Sequence, residues 1–75
     1  MQSVDDSKAL GLLVRKERKA QRLTQAELAA LTGVGIRFVR EFERGKESCR
    51  VGLAFQVMRT LGLNLQLRNR KEVAP

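Results

Sequence analysis

The sequence predicts a mainly α-helical domain of four short helices followed by one short β-strand. Apolar residues recur at helical spacing in four segments. Three glycines, Gly33, Gly45 and Gly62, stand where helices are expected to end, because glycine readily adopts the left-handed conformation found there. After the last of them, the apolar period changes to 2 in residues 63–68, which is typical of a strand. A chain of 75 residues is expected to form one domain.

The first helix is predicted to follow a frayed arm, residues 1–6, with Ser7 as its N-cap, and to end near Gln21. Its outer face is basic, and we interpret that face as mainly solvated. Its inner face consists of Leu10, Leu13, Val14 and either Glu17 or Arg18.

The second helix has the clearest start signal in the chain. Thr24 and Glu27 occupy the N-cap and N3 positions of a capping box, in which each side chain bonds the other residue's backbone N–H. The helix is predicted to run from Gln25 to about Thr32, ahead of the glycine at position 33. Its apolar residues on one side are Leu28, Ala29 and Leu31.

The third helix is predicted to begin at about Gly35 and to end before Gly45, with Val39 and Phe42 on one face. A polar loop, residues 46–50, separates it from the fourth helix, which is predicted to run from Val51 to Leu61. The inner residues of the fourth helix are Val51, Ala54, Val57, Met58 and Leu61.

The composition is basic. There are 15 Lys and Arg residues against 8 Asp and Glu residues, a formal net charge of +7. This excess favours a polyanionic partner, with nucleic acid first and an anionic membrane surface second. With no histidine and a single cysteine, an intrachain disulfide is impossible and metal-ligand spacing is absent. We expect no metal, no cofactor and no enzymatic activity.

The chain is expected to be cytoplasmic and associated with the nucleoid. No apolar run approaches the roughly 18 residues that a membrane span needs. The N-terminus is polar and does not resemble a secretory signal. The single thiol, Cys49, is interpreted as an inert loop residue, with a redox switch as the alternative.

Two short helices joined by a glycine turn are typical of a DNA-reading unit. On the third helix, the side opposite Val39 holds Arg37, Glu41 and Arg44 at 100° per residue, with Arg40 at its edge. Arginine suits the guanine edge, and an aliphatic side chain suits the thymine methyl group. The predicted DNA contacts are Gly35, Ile36, Arg37, Arg40, Glu41 and Arg44 from this helix, and Gln25, Lys46 and Arg50 for phosphates.

Each of these assignments has a purely structural alternative. The arginines can form an ordinary solvated face, Ile36 can pack under a loop, and Gln25 can be a plain surface helix start. For the first helix the alternative to a solvated face is a contact of Arg15 or Lys16 with the DNA backbone. The strand can fold back on its own domain. However, a lone edge strand leaves backbone groups unpaired, so we favour pairing across a dimer through Leu63, Leu65 and Leu67.

Three sequence motifs occur in this order: Thr24-Gln25-x-x-Leu28-Ala29, Gly33-Val34, and Val39-x-x-Phe42-Glu43-x-Gly45-Lys46. With them, roughly residues 8–62 resemble the Xre-type helix-turn-helix family, which includes phage repressors. The resemblance implies a phage-repressor-like four-helix domain that binds double-stranded operator DNA. It also implies a structural ion pair between Arg18 and Glu43.

A narrower resemblance is to short HipB-like antitoxins. It rests on Arg37-Phe38-Val39, Glu43-Arg44-Gly45-Lys46 and Leu61-Gly62-Leu63-x-Leu65-x-Leu67. This resemblance implies a homodimer that represses its own operon and binds a HipA-type serine/threonine kinase toxin. The domain organisation expected is an arm (1–6), a DNA-binding domain (7–62), a dimerisation strand (63–68) and a flexible tail (69–75). The alternatives are a stand-alone phage- or plasmid-type repressor and a toxin-inhibiting interaction module with weak DNA binding.

Overall fold

The structure, a computed structural model, describes residues 3–70. Residues 1–2 of the predicted arm and residues 71–75 of the predicted tail lie outside the described residues. The described part contains four helices, as the sequence predicts. They are α1 (Ser7–Ala20), α2 (Gln25–Thr32), α3 (Ile36–Glu43) and α4 (Val51–Thr60).

The start of α1 differs from the prediction by one residue. Asp6, not Ser7, is the N-cap, and its carboxylate accepts a hydrogen bond from the backbone nitrogen of Ala9 at 2.8 Å. Ser7 is the first helical residue, and its hydroxyl donates to the carbonyl oxygen of Gly45 at 2.9 Å. An aspartate caps a helix as well as a serine does. The serine therefore ties α1 to the turn that follows α3.

The capping box of α2 is present as predicted. The Thr24 hydroxyl accepts from the Glu27 nitrogen at 3.0 Å, and the Glu27 carboxylate accepts from the Thr24 nitrogen at 2.8 Å. These two bonds hold the pKa of the Glu27 carboxyl below its ordinary value. Gly33 ends the helix with φ 85°, a left-handed conformation that favours glycine.

One core joins all four helices. Its fully buried side chains are Val14 from α1, Leu28 from α2, Val39 from α3 and Val57 from α4. The other buried apolar residues are Ala29, Phe42, Ala54, Met58 and Leu61. Each helix thus contributes the inner face that its apolar spacing predicts, apart from two positions.

Leu31 and Val51 were predicted to face the core, and both predictions were wrong. Leu31 is 65% exposed and Val51 is 67% exposed. Leu28 and Ala29 are the buried residues of α2, and the centre of the buried face lies between them. Leu31 then lies about 110° from that centre. Val51 is the first residue of α4, where the chain enters the helix from the polar loop.

Gly11 has a packing role that the sequence analysis did not assign. It is buried in the middle of α1, where glycine lowers helix stability relative to alanine. A Cβ atom at this position would lie 2.4 Å from the carbonyl oxygen of Phe42 and 2.7 Å from that of Glu43. Only a residue without a side chain lets α1 cross the C-terminal end of α3 at this distance.

Residues 63–68 follow α4 and have no strand assigned within the single chain. Gly62 and Leu63 close the helix, because the Leu63 nitrogen donates to the carbonyl oxygen of Met58 at 2.8 Å. Residues 63–69 have no assigned helix or strand. A strand is defined by a hydrogen-bonded neighbour, so the pairing of residues 63–68 across a dimer stays a prediction.

Within residues 3–70, no helix is long and apolar enough to cross a membrane. The same part of the chain contains no group of three or more His, Cys, Asp or Glu side chains placed to hold a metal ion.

Candidate nucleic-acid interface

The surface of α3 divides into a buried side and a charged side. Val39 and Phe42 face the core, and the Phe42 ring lies 5.7 Å from the ring of Phe38, centroid to centroid. On the outward side, Arg37, Arg40 and Arg44 are exposed. The helix therefore has one face packed against α1 and α2 and one face free for a ligand, as a DNA-reading helix requires.

A buried ion pair fixes the position of α3. The Arg18 Nε atom donates to Glu43 Oε2 at 2.5 Å, and Arg18 Nη2 donates to Glu43 Oε1 at 3.0 Å. Arg18 Nη1 also donates to the carbonyl oxygen of Leu23 at 2.8 Å. The hydrogen bond to Glu43 raises the pKa of Arg18 above its ordinary value. The ion pair that the family resemblance implies is confirmed.

Gln25 joins this pair at the start of α2. Its amide nitrogen donates to Glu43 Oε1 at 3.0 Å, so the carboxylate receives three hydrogen bonds from two side chains. The sequence analysis assigned Gln25 to a phosphate and did not foresee this bond. An amide nitrogen carries two hydrogens, so the bond to Glu43 is compatible with a phosphate contact. The bond also fixes where such a contact would form.

A basic groove opens above this network, between α1, the start of α2 and α3. Arg40 and Arg44 line it together with Gln25, and their contact with DNA stays a prediction. Lys8 and Arg15 of α1 line it too. Arg15 was considered only as an alternative contact to the DNA backbone, and Lys8 was not assigned to the interface. Their spacing of seven residues, two helical turns, was the available signal, because it places both on one face of α1.

A second group of predicted contacts surrounds Glu41. Lys46 Nζ lies 3.2 Å from Glu41 Oε1, and Arg37 Nε lies 3.5 Å from Glu41 Oε2. The Lys46 hydrogen bond, together with the charges of Lys46 and Arg37, holds the pKa of the Glu41 carboxyl below its ordinary value. These three residues do not line the basic groove. The predicted contacts thus fall into two clusters.

The remaining predicted contacts lie at the ends of helices. Gly35 is the N-cap of α3 and is exposed, and Ile36, the first residue of that helix, is also exposed. Exposure of Ile36 disfavours the alternative in which it packs under a loop. Arg50 is exposed at the N-cap of α4 and does not line the basic groove.

Cys49 is partly buried against the core. Burial raises the pKa of its thiol, so the less reactive protonated form predominates at neutral pH. This environment agrees with an inert thiol and disfavours the redox alternative.

An apolar groove lies elsewhere, along the segment that follows α4. Leu63, Leu65 and Leu67 line it together with Leu10, Leu13 and Met58, and residues 3–5 close one side. Leu65 is 45% exposed and Leu67 is 87% exposed. The three predicted dimerisation residues therefore share one partly open apolar surface.

Comparison with known proteins places the chain in a family. Residues 14–67 match the helix-turn-helix family profile. The chain is 45% identical over 58 residues to the uncharacterized HTH-type transcriptional regulator y4mF of Sinorhizobium fredii. The aligned region covers 77% of this chain and 76% of that protein.

Solved structures share the fold. A chain from a HipB-O4 20mer complex superposes with a TM-score of 0.85 at 21% identity, covering 93% of this chain and 99% of that one. A chain from a HipA-HipB-O2-O3 complex gives the same values. Fold and charged surface together define a DNA-binding transcriptional regulator. The protein belongs to the helix-turn-helix family, and its relative y4mF is a transcriptional regulator, not an enzyme.

Glu43→Gln tests the buried pair. The substitution keeps the shape of the side chain but leaves the Arg18 charge without its partner, so we expect the free energy of unfolding to fall by about 3–5 kcal/mol. Urea unfolding followed by circular dichroism measures this change. Glu47→Gln, an exposed position in the loop after α3, is the control, with an expected change within about 0.5 kcal/mol. Equal effects of the two substitutions would contradict a stabilising role for the pair.

Proposed function

We propose that the protein is a sequence-specific repressor that binds operator DNA as a homodimer and places each α3 in a major groove. The observation that supports this proposal is the cationic outward side of α3, which lies next to the basic groove. The Arg18–Glu43 pair holds α3 in this position. Helices of this kind dock in the major groove with their N-terminal residues on the bases.

The two clusters of cations suggest different tasks. On this proposal Gly35, Ile36, Arg37 and Glu41, at the N-cap and on α3, approach base edges, and Arg37 is suited to guanine O6 and N7. Residues of the basic groove, Gln25, Arg40 and Arg44 with Lys8 and Arg15, are suited to a phosphate strand. Lys46 and Arg50, which flank the loop after α3, extend the phosphate contacts. On this proposal the backbone contacts supply most of the affinity and α3 supplies the sequence preference.

Dimerisation is proposed to occur through residues 63–68, outside the DNA-binding domain of residues 7–62. Two antiparallel copies of this segment would satisfy each other's backbone groups and cover the exposed Leu65 and Leu67. A twofold axis would also set the two copies of α3 about one helical turn of DNA apart.

The regulator is further proposed to be the antitoxin of a HipA-type serine/threonine kinase and to repress its own operon in the cytoplasm, on the nucleoid. Support comes from the sequence resemblance and from the fold shared with a chain of a HipA-HipB-O2-O3 complex. A stand-alone repressor and an interaction module with weak DNA binding are the outcomes against which the antitoxin role is tested.

Arg37→Ala tests operator reading. Removal of a base-contacting arginine is expected to weaken operator binding by about 1–3 kcal/mol and to relax base preference. Fluorescence anisotropy with promoter and scrambled duplexes at physiological salt measures both effects. Arg59→Ala removes an equal charge from an exposed position on α4 and should leave the preference intact. If the wild-type protein binds promoter and scrambled duplexes with equal affinity, the operator proposal is wrong.

Leu65→Asp tests the dimer interface. A carboxylate on the apolar groove should oppose burial against a second copy, so sedimentation analysis is expected to show more monomer at the same protein concentration. Leu31→Asp makes the same change on an exposed part of α2 and should leave the association unchanged. A Leu65→Asp protein that sediments as the wild-type dimer would refute the pairing of residues 63–68.

Recovery of a kinase tests the antitoxin role. Purification of the tagged protein from its host, followed by mass spectrometry, is expected to recover a HipA-type kinase encoded beside its gene. Specific operator binding without any such kinase would favour the stand-alone repressor. Recovery of the kinase with equal affinity for promoter and scrambled DNA would favour the interaction module.

A further inference from the structure

Glu41 is unusual among the charged residues of α3. The other carboxylate of that helix, Glu43, is buried in the pair with Arg18. Glu41 instead lies on the outward side, where its side chain is 30% exposed and contacts two cations at once. A negative charge at this place opposes the approach of DNA phosphates, so its presence on a DNA-binding surface calls for a physical reason.

Folding stability does not supply that reason. The Arg37 side chain is 85% exposed and the Lys46 side chain is 46% exposed. Ion pairs between exposed side chains contribute little to stability, because water and salt screen them. The contacts of Glu41 with Arg37 and Lys46 therefore affect how freely these cations can bind phosphates more than they affect the stability of the fold.

Binding to DNA of any sequence depends on the number of cations that are free to contact phosphates. In the unbound protein, Arg37 and Lys46 already have an anionic partner. A phosphate that takes either cation must displace the carboxylate, which then remains near the phosphate and repels it. Non-cognate DNA has no base donor for the displaced carboxylate, so the lost contacts of Glu41 with its cations are not replaced.

A cognate base pair can offset the same loss. In the major groove, the amino group at N4 of cytosine donates to a carboxylate, and the paired guanine offers O6 and N7 to arginine. Arg37 and Glu41 are one helical turn apart and in contact, so they can engage neighbouring base edges together. The carboxylate then exchanges its cations for a base donor and is no longer left unpaired.

From this geometry we propose that Glu41 is a specificity-determining residue which holds Arg37 and Lys46 back from phosphates and so weakens binding to non-cognate DNA. The inference rests on the proposed function, since it concerns how the same surface discriminates between DNA sequences. The sequence predicted Glu41 only as a DNA contact, and the proposal adds that Glu41 weakens binding to non-cognate DNA.

The test compares Glu41→Gln with Glu47→Gln. Both substitutions remove one negative charge, and Glu47 follows Lys46 directly in the exposed loop. Among residues 3–70, no ion pair involving Glu47 is found. Binding of a random-sequence 20-base-pair duplex is measured by anisotropy at several salt concentrations, in parallel with the operator duplex. Circular dichroism verifies the fold of both variants.

Glu41→Gln is expected to strengthen binding of the random duplex by about 5- to 10-fold near 0.1 M salt, because two more cations become free for phosphates. Glu47→Gln is expected to change it less than about 2-fold, in line with a simple change of net charge. The operator-to-random affinity ratio should fall for Glu41→Gln alone. If the two variants bind the random duplex alike, or if the ratio is unchanged in Glu41→Gln, the proposal is overturned.

A DNA-free measurement separates this proposal from the proposed function. Contact with Lys46 and Arg37 holds the pKa of the Glu41 carboxyl below its ordinary value. Carboxyl NMR titration of the unbound protein is therefore expected to show a higher pKa for Glu41 in an Arg37→Ala, Lys46→Ala double variant than in the wild type. An unchanged pKa of Glu41 in the double variant would overturn the restraint. If the pKa of Glu41 rises as expected but operator and random DNA are bound alike by the wild type, the operator function fails while the restraint of the two cations stands.

Discussion

The buried contact between Arg18 and Glu43 is the interaction on which the rest of the structure depends. It joins the last turn of α1 to the last residue of α3, and Gln25 extends it to the first residue of α2. Burying two charges is costly unless their hydrogen-bonding capacity is used. Here it is used, because Arg18 donates to Glu43 and to the Leu23 carbonyl, and no buried side-chain polar atom of residues 3–70 lacks a partner. This hydrogen-bond network therefore determines the direction in which the charged side of α3 faces.

The two glutamates of α3 show how burial determines what a carboxylate does. Glu43 is buried with Arg18, so their ion pair is shielded from water and holds α3 in position. Glu41 lies at the surface, where water and salt screen its contacts with Arg37 and Lys46, so these contacts contribute little to the stability of the fold. One carboxylate thus holds the recognition helix in place. The other, on our proposal, adjusts how that helix responds to the DNA it meets.

A domain of this size leaves apolar surface that a single chain does not cover. Four short helices enclose one small core, and close packing at Gly11 brings α1 and α3 together at the backbone. Leu65 and Leu67 remain exposed beside the apolar groove that follows α4. Because small domains bury a limited fraction of their surface, a second copy is an economical way to cover these leucines. The proposed dimer would therefore serve stability and DNA geometry together.

The sequence by itself determined the four helices, the capping box of α2 and most of the core. These features depend on local spacing and on capping chemistry, which neighbouring residues specify. Tertiary structure decided the rest. Leu31 proved to be exposed, Gly11 proved to be a crossing point, and Lys8 and Arg15 joined the basic groove, because each outcome depends on which face of one helix meets another. The contact of Lys46 with Glu41 likewise followed only from the fold, since the turn after α3 brings Lys46 back to that helix.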